Sequence, residues 1–111
     1  ERWMELPIVN KLHLSASNGK AMELSVWKKL YDVCHTNMPG LMTLIREKES
    51  VLDLMDLQIC VLTKLRFIPS EQYVLLNISP STLSHRRSRL FKKLFDKVGS
   101  AQDFDERMHS I

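Results

Sequence analysis

Between Ser79 and Val98 stand six cations, Arg86, Arg87, Arg89, Lys92, Lys93 and Lys97, against one acid, Asp96. The segment carries +5 and the remainder −2, although the whole chain totals only +3. Interleaved with the cations are Ser81, Thr82, Ser84, His85 and Ser88. Guanidinium and ammonium groups neutralise phosphates and release counterions, while hydroxyl, imidazole and guanidinium groups can hydrogen-bond base edges. On charge alone such a stretch reads as a solvated basic helix face. Its place in the chain, as the third of three closely spaced helices, turns the reading toward nucleic acid.

Other chemistry is poorly supplied. Cys34 and Cys60 sit among apolar neighbours, where a free cysteine behaves as a small hydrophobe, although a disulfide between them stays open. Two unclustered cysteines suit a reducing compartment. The adjacent pair Cys34-His35 would point about 100° apart on a helix and has no third orienting group near it in sequence. His13, His35, His85 and His109 show no i, i+4 pairing and no mixed Cys/His spacing, so no metal is expected. The three isolated glycines form no phosphate-binding loop. Neither enzyme activity nor a cofactor is expected.

The elements that must position the basic stretch lie between Leu52 and Phe95. Asp53 is placed to cap a helix with Asp56 as its capping-box partner, followed by Leu54, Leu57, Val61, Leu62 and Leu65 at helical spacing. Pro69 suits the first turn of a second, very short helix that closes at Asn77. Ser79-Pro80 is a hydroxyl cap followed by proline at the first helical position, and no helix breaker recurs before Gly99. A long, a short and a basic helix joined by tight turns is the plan of a helix-turn-helix, whose last helix enters the major groove.

The residues LDLMDLQICVL, then PSEQYVLLNISPSTL, then RSRLFKKLF resemble the LuxR-type (GerE-type) helix-turn-helix, and more narrowly the carboxy-terminal domain of gut-bacterial regulators of carbohydrate-use genes. The likeness covers about Leu52 to Phe95. It implies double-stranded DNA as partner, and it implies that Ser84, His85 and Ser88 approach base edges. Where that family usually carries glycine at the two turns, this chain has Arg66 and Asn77, so the first turn is expected to be strained or differently shaped.

A 100° helical projection sorts the remaining residues of the segment expected to read DNA, residues 80–96. Leu83, Leu90 and Leu94 form a stripe that Phe91 and Phe95 widen. Arg87 falls inside that stripe and must be paired if buried; the carboxylates on the two preceding helices are Asp56 and Glu71, positions where the resembling family also tends to place acids. Thr82, His85, Arg89 and Lys92 cluster opposite, which adds Arg89 to the expected base contacts. Arg86, Lys92 and Lys93 are assigned to phosphates, with Ser81 and Thr82 helped by free amides at the helix start.

At 111 residues, 44% hydrophobic and 26% charged, the chain is expected to be one all-α domain. Residues 1–50 supply three preceding helices for packing or linkage, residues 52–98 the helix-turn-helix, and residues 99–111 a short C-terminal helix. In the first part Leu6, Val9, Leu12 and Leu14 make an amphipathic pattern with Pro7 in its first turn or at a break, Ser25 is the expected cap of the second helix, and Pro39 begins the third. Gly99 is expected to stop the basic helix, and Ser100 with Asp103 to cap a final helix that returns Phe104 and Met108 to the core. The start at Glu1 suggests a fragment, with a sensor or signalling domain upstream, a homodimer in the full-length protein, and a cytoplasmic location even if the parent is membrane-anchored. The function expected is the DNA-binding domain of a bacterial transcription regulator. The alternatives are a helical protein-interaction module, or a promoter-binding domain like region 4 of a sigma factor.

Overall fold

The structure, a computed structural model, describes residues 2–111. Seven α-helices follow in order: α1 (Pro7–Ser17), α2 (Leu24–Asn37), α3 (Pro39–Glu47), α4 (Leu54–Lys64), α5 (Pro69–Leu75), α6 (Pro80–Phe95) and α7 (Ala101–Ser110). Single 3-10 turns lie at Arg2–Glu5 and Glu49–Val51, and no strand occurs among the described residues. The fold is all-α, with three helices before the α4–α6 unit and one after it. No helix of the described residues is long and apolar enough to cross a membrane.

Local chemistry explains most helix starts. Asp53 Oδ1 accepts from the Asp56 N–H at 2.8 Å while Asp56 Oδ2 accepts from the Asp53 N–H at 3.2 Å, and Ser100 and Asp103 repeat the exchange at α7. Such caps contribute about 1 kcal/mol each. Ser79 Oγ accepts from the Thr82 N–H at 3.1 Å, and prolines open α1, α3, α5 and α6. The expected Ser25 cap is corrected: α2 begins at Leu24, with Glu23 at the cap position and no side-chain cap bond, because Ser25 already lies inside the helix.

Three helix ends share one hydrogen-bond pattern. After α1, α4 and α5 a left-handed residue, Gly19 (φ 70°), Arg66 (φ 70°) and Asn77 (φ 53°) respectively, is followed by an N–H that reaches back five residues. These bonds run Lys20 to Ser15 O (2.8 Å), Phe67 to Leu62 O (3.0 Å) and Ile78 to Tyr73 O (3.1 Å). The left-handed residues' own N–H groups reach Ala16 O, Thr63 O and Val74 O. All three are Schellman ends. The two corners around α5 therefore share one hydrogen-bond pattern, and strain concentrates at Arg66, because arginine, unlike asparagine, rarely adopts the left-handed region.

The buried residues form one cluster from Trp3 to Met108. α7 lies along α6 and also meets α4, α1 packs on α5, and α2 packs on α3 and α4. Phe104 and Met108 are fully buried, as their spacing predicts; Val9 and Leu12 are buried too, whereas Leu14 points out. Gln72, fully buried, crosses the first corner: its Nε2 donates to Phe67 O at 2.8 Å and to Thr63 Oγ1 at 3.1 Å, fixing α5 on the end of α4. The cations at the end of α4 meet carbonyls at the end of α7, Lys64 Nζ on Ile111 O at 2.7 Å and Arg66 Nη2 on His109 O at 3.4 Å, which suits the negative end of that helix.

The basic helix ends one residue short of the expected 96, and its stop is corrected. Asp96, not Gly99, takes the left-handed conformation (φ 54°, ψ 38°) and ends α6. Gly99 serves a different need: a Cβ there would lie 2.6 Å from Asp103 Oδ2 and 2.7 Å from Phe91 Cε2.

Candidate nucleic-acid interface

The α6 projection is realised in space. Leu83, Arg87, Leu90, Phe91 and Leu94 are buried, and Ser81, Thr82, Ser84, His85, Arg89 and Lys92 are exposed. Ser88, Arg86 and Lys93 are half-buried on the flanks. No helix of the described residues covers the outward side of α6, so four residues expected to read bases, Ser84, His85, Ser88 and Arg89, share one side of the helix.

The expected partners of Arg87 are corrected. Arg87 is buried and paired, but neither with Asp56 nor with Glu71: its Nε donates to Asp105 Oδ1 at 3.0 Å and its Nη2 to Asp105 Oδ2. The reason lies in α7, which lies along the inward side of α6 and carries Asp105 beside buried Phe104. The two other acids are occupied elsewhere. Asp56, itself buried, receives Arg86 Nη1 at 3.3 Å and Lys93 Nζ at 2.9 Å, while Asp53 receives the same Nη1 at 3.1 Å through both oxygens. Glu71 Oε2 lies 2.5 Å from His13 Nδ1, with Glu71 Oε1 accepting from the Ile68 N–H at 3.0 Å and the His13 ring stacked 4.1 Å from Phe67.

These pairs change the electrostatic account of the basic helix. Arg86 and Lys93, expected on phosphates, are held by Asp53 and Asp56 at the start of α4, so that two cations meet two carboxylates. Lys92 is paired with Asp96 at 2.8 Å one turn on, an exposed contact of little energy that a phosphate could displace. Ser81 and Thr82 hydroxyls meet Ser79 Oγ at 3.2 and 2.9 Å. Among the described residues Arg89 and Lys97 have neither an ion pair nor a hydrogen bond. The capping N–H of Asp56, then Arg86, holds the Asp53 carboxyl below the usual carboxylate range, so the acid stays charged beside Arg86.

Elsewhere the chemistry is quiet. Cys34 and Cys60 are free and fully buried; burial pushes the Cys34 thiol up to about 12 and the Cys60 thiol higher still, which leaves both unreactive. The four histidines stand on four helices, α1, α2, α6 and α7, and no group of three or more metal-ligating side chains gathers among the described residues. Asp105 and His13 are the interacting residues that sequence reasoning missed. Asp105 had a signal, its place one residue from inward-facing Phe104; the distance in sequence from His13 to Glu71 gave none.

Comparison with known protein families, with curated proteins and with solved structures finds no match for this chain.

Proposed function

We propose that this chain binds double-stranded DNA through the exposed side of α6, as the DNA-binding domain of a transcription regulator. The observation that carries the reading is the split of one helix into a buried stripe and an uncovered polar side bearing Ser84, His85 and Arg89, with Arg89 free of any carboxylate partner among the described residues. The order long helix, short helix, exposed basic helix, with two Schellman corners between, supports it, as does the resemblance to LuxR-type domains. The side chains available suit major-groove edges: arginine for guanine, serine and histidine for several bases. Phosphate contacts fall to Lys92, Lys97 and the start of α6, with Arg86 and Lys93 acting first as staples between α6 and α4.

Titration with duplex DNA across a salt series tests the reading. Affinity should fall with salt, with a slope of about −2 per bound chain when Lys92 and Lys97 neutralise phosphates. No binding at low salt, or binding indifferent to salt, would favour a helical protein-interaction module instead.

A further inference from the structure

A separate feature lies on the N-terminal helices, away from α6. α1 and α2 leave an open trough of about 630 Å³ between them, with Pro7, Ile8, Leu14 and Val26 on its floor and walls and Lys11 and Lys29 on its two banks. Leu14 is 61% exposed, a large apolar side chain facing water beside the trough. Neither lysine has an ion pair or hydrogen bond among the described residues, and no acid lines the trough. It continues past Lys11 and Val26 toward Lys20 and Met22, where Glu23 is the one acid on the walls.

We infer that this trough docks an amphipathic helix of a partner protein whose apolar stripe is flanked by acidic residues. An apolar floor between two helical walls is the shape a third helix fills, with anchors at i, i+3 or i+4, and i+7. Eleven residues of α1 offer roughly 16 Å, enough for about three turns of partner. The unpaired lysines on opposite banks select acidic flanks on the occupant and steer its approach. They also disfavour a second copy of this chain: a twofold contact would bring two lysine-bearing troughs together with Glu23 the one acid on the walls to offset them. A DNA duplex would leave the apolar floor unfilled. The inference is independent of the reading of α6.

The experiment uses the whole chain and two fluorescein-labelled synthetic helical peptides of 15 residues or so, about four turns. One carries leucines at the anchor positions with glutamates beside them, and the other has lysines in place of the glutamates. Fluorescence anisotropy should show saturable binding of the acidic peptide, weakened by salt. Lys11→Glu/Lys29→Glu should weaken it at least tenfold and gain affinity for the lysine peptide, and Leu14→Ser should weaken both. All three positions are exposed, so thermal melting should be unchanged, and DNA affinity should be unchanged as well, which separates this site from α6. Equal binding by wild type and the double variant would overturn the inference, as would absence of binding. So would a dimer in light scattering that Leu14→Ser abolishes, or binding to phosphatidylglycerol vesicles that outcompetes the acidic peptide.

Discussion

Arg87 of α6 and Asp105 of α7 form a two-pronged ion pair inside the fold, Nε on Oδ1 at 3.0 Å and Nη2 on Oδ2. The guanidinium is 9% exposed and the carboxylate 17%, so each depends on the other for its hydrogen bonds. Removing either partner strands the other charge at low dielectric. Arg87→Ala and Asp105→Ala should each lower stability by about 2–4 kcal/mol, somewhat below the cost of breaking a fully buried pair because water reaches the carboxylate edge. Chemical denaturation of both singles and the double checks this: the double should be clearly less destabilised than the sum. Full additivity would mean the pair is not coupled. Asp56→Ala should not reproduce the coupling, since its partners are Arg86 and Lys93.

Arg66 holds a left-handed backbone that glycine adopts freely, and the Schellman bonds around it do not involve its side chain. Arg66→Gly should therefore raise stability by about 0.5–1 kcal/mol, the relief of strain exceeding the extra entropy of glycine in the unfolded chain. The long contact to His109 O at 3.4 Å is a small loss. Asn77→Gly should change stability by only a few tenths, because asparagine already tolerates that region. Melting curves that shift equally for the two variants would show that the left-handed φ of Arg66 is not where the strain lies.

Gly99 stands where α7 turns back onto α6, and the close approach there leaves no room for a side chain. A methyl group would meet Asp103 Oδ2 at 2.6 Å and the Phe91 ring at 2.7 Å. Gly99→Ala should cost about 1–3 kcal/mol, as overpacking typically does, because Asp103 is already committed to the Ser100 N–H at 2.8 Å. Urea unfolding measures it. An unchanged midpoint would mean that the Phe91 ring and the cap move aside freely.

What could be read from the sequence was local. Asp53, Ser79, Ser100 and the four prolines signal helix starts within three or four residues of themselves, and the buried stripe of α6 follows from 100° per residue. Failures came wherever a third element decided. Arg87 was correctly placed inward, yet its partner belongs to α7, whose docking along α6 no spacing within 80–95 reveals. Arg86 and Lys93, seven residues apart on one flank, are expected on phosphates, and nothing in their spacing reveals the carboxylates Asp53 and Asp56 that α4 brings beneath them. The expected span of 80–96 for the basic helix is met to within one residue, but the stop assigned to Gly99, the common terminator, is made by Asp96 in the left-handed region.

The acid clamp at the start of α4 gives the DNA reading its most discriminating variant. Asp53 is 60% exposed, caps α4 through its side chain and also holds Arg86. Asparagine caps a helix about as well as aspartate, so Asp53→Asn should preserve the fold while it removes an anion that faces approaching phosphates and loosens Arg86. DNA affinity should rise several-fold at low salt, and the salt slope should steepen by about one as Arg86 gains a phosphate. Arg89→Ala works in the opposite sense, removing an exposed cation with no partner among the described residues: stability should stay constant while affinity falls by about 1–3 kcal/mol for a base contact, or the slope lessens by about one for a phosphate contact. Anisotropy titrations of wild type and both variants at two salt concentrations provide all of these numbers. If Asp53→Asn and Arg89→Ala both leave binding untouched, DNA does not meet this side of α6.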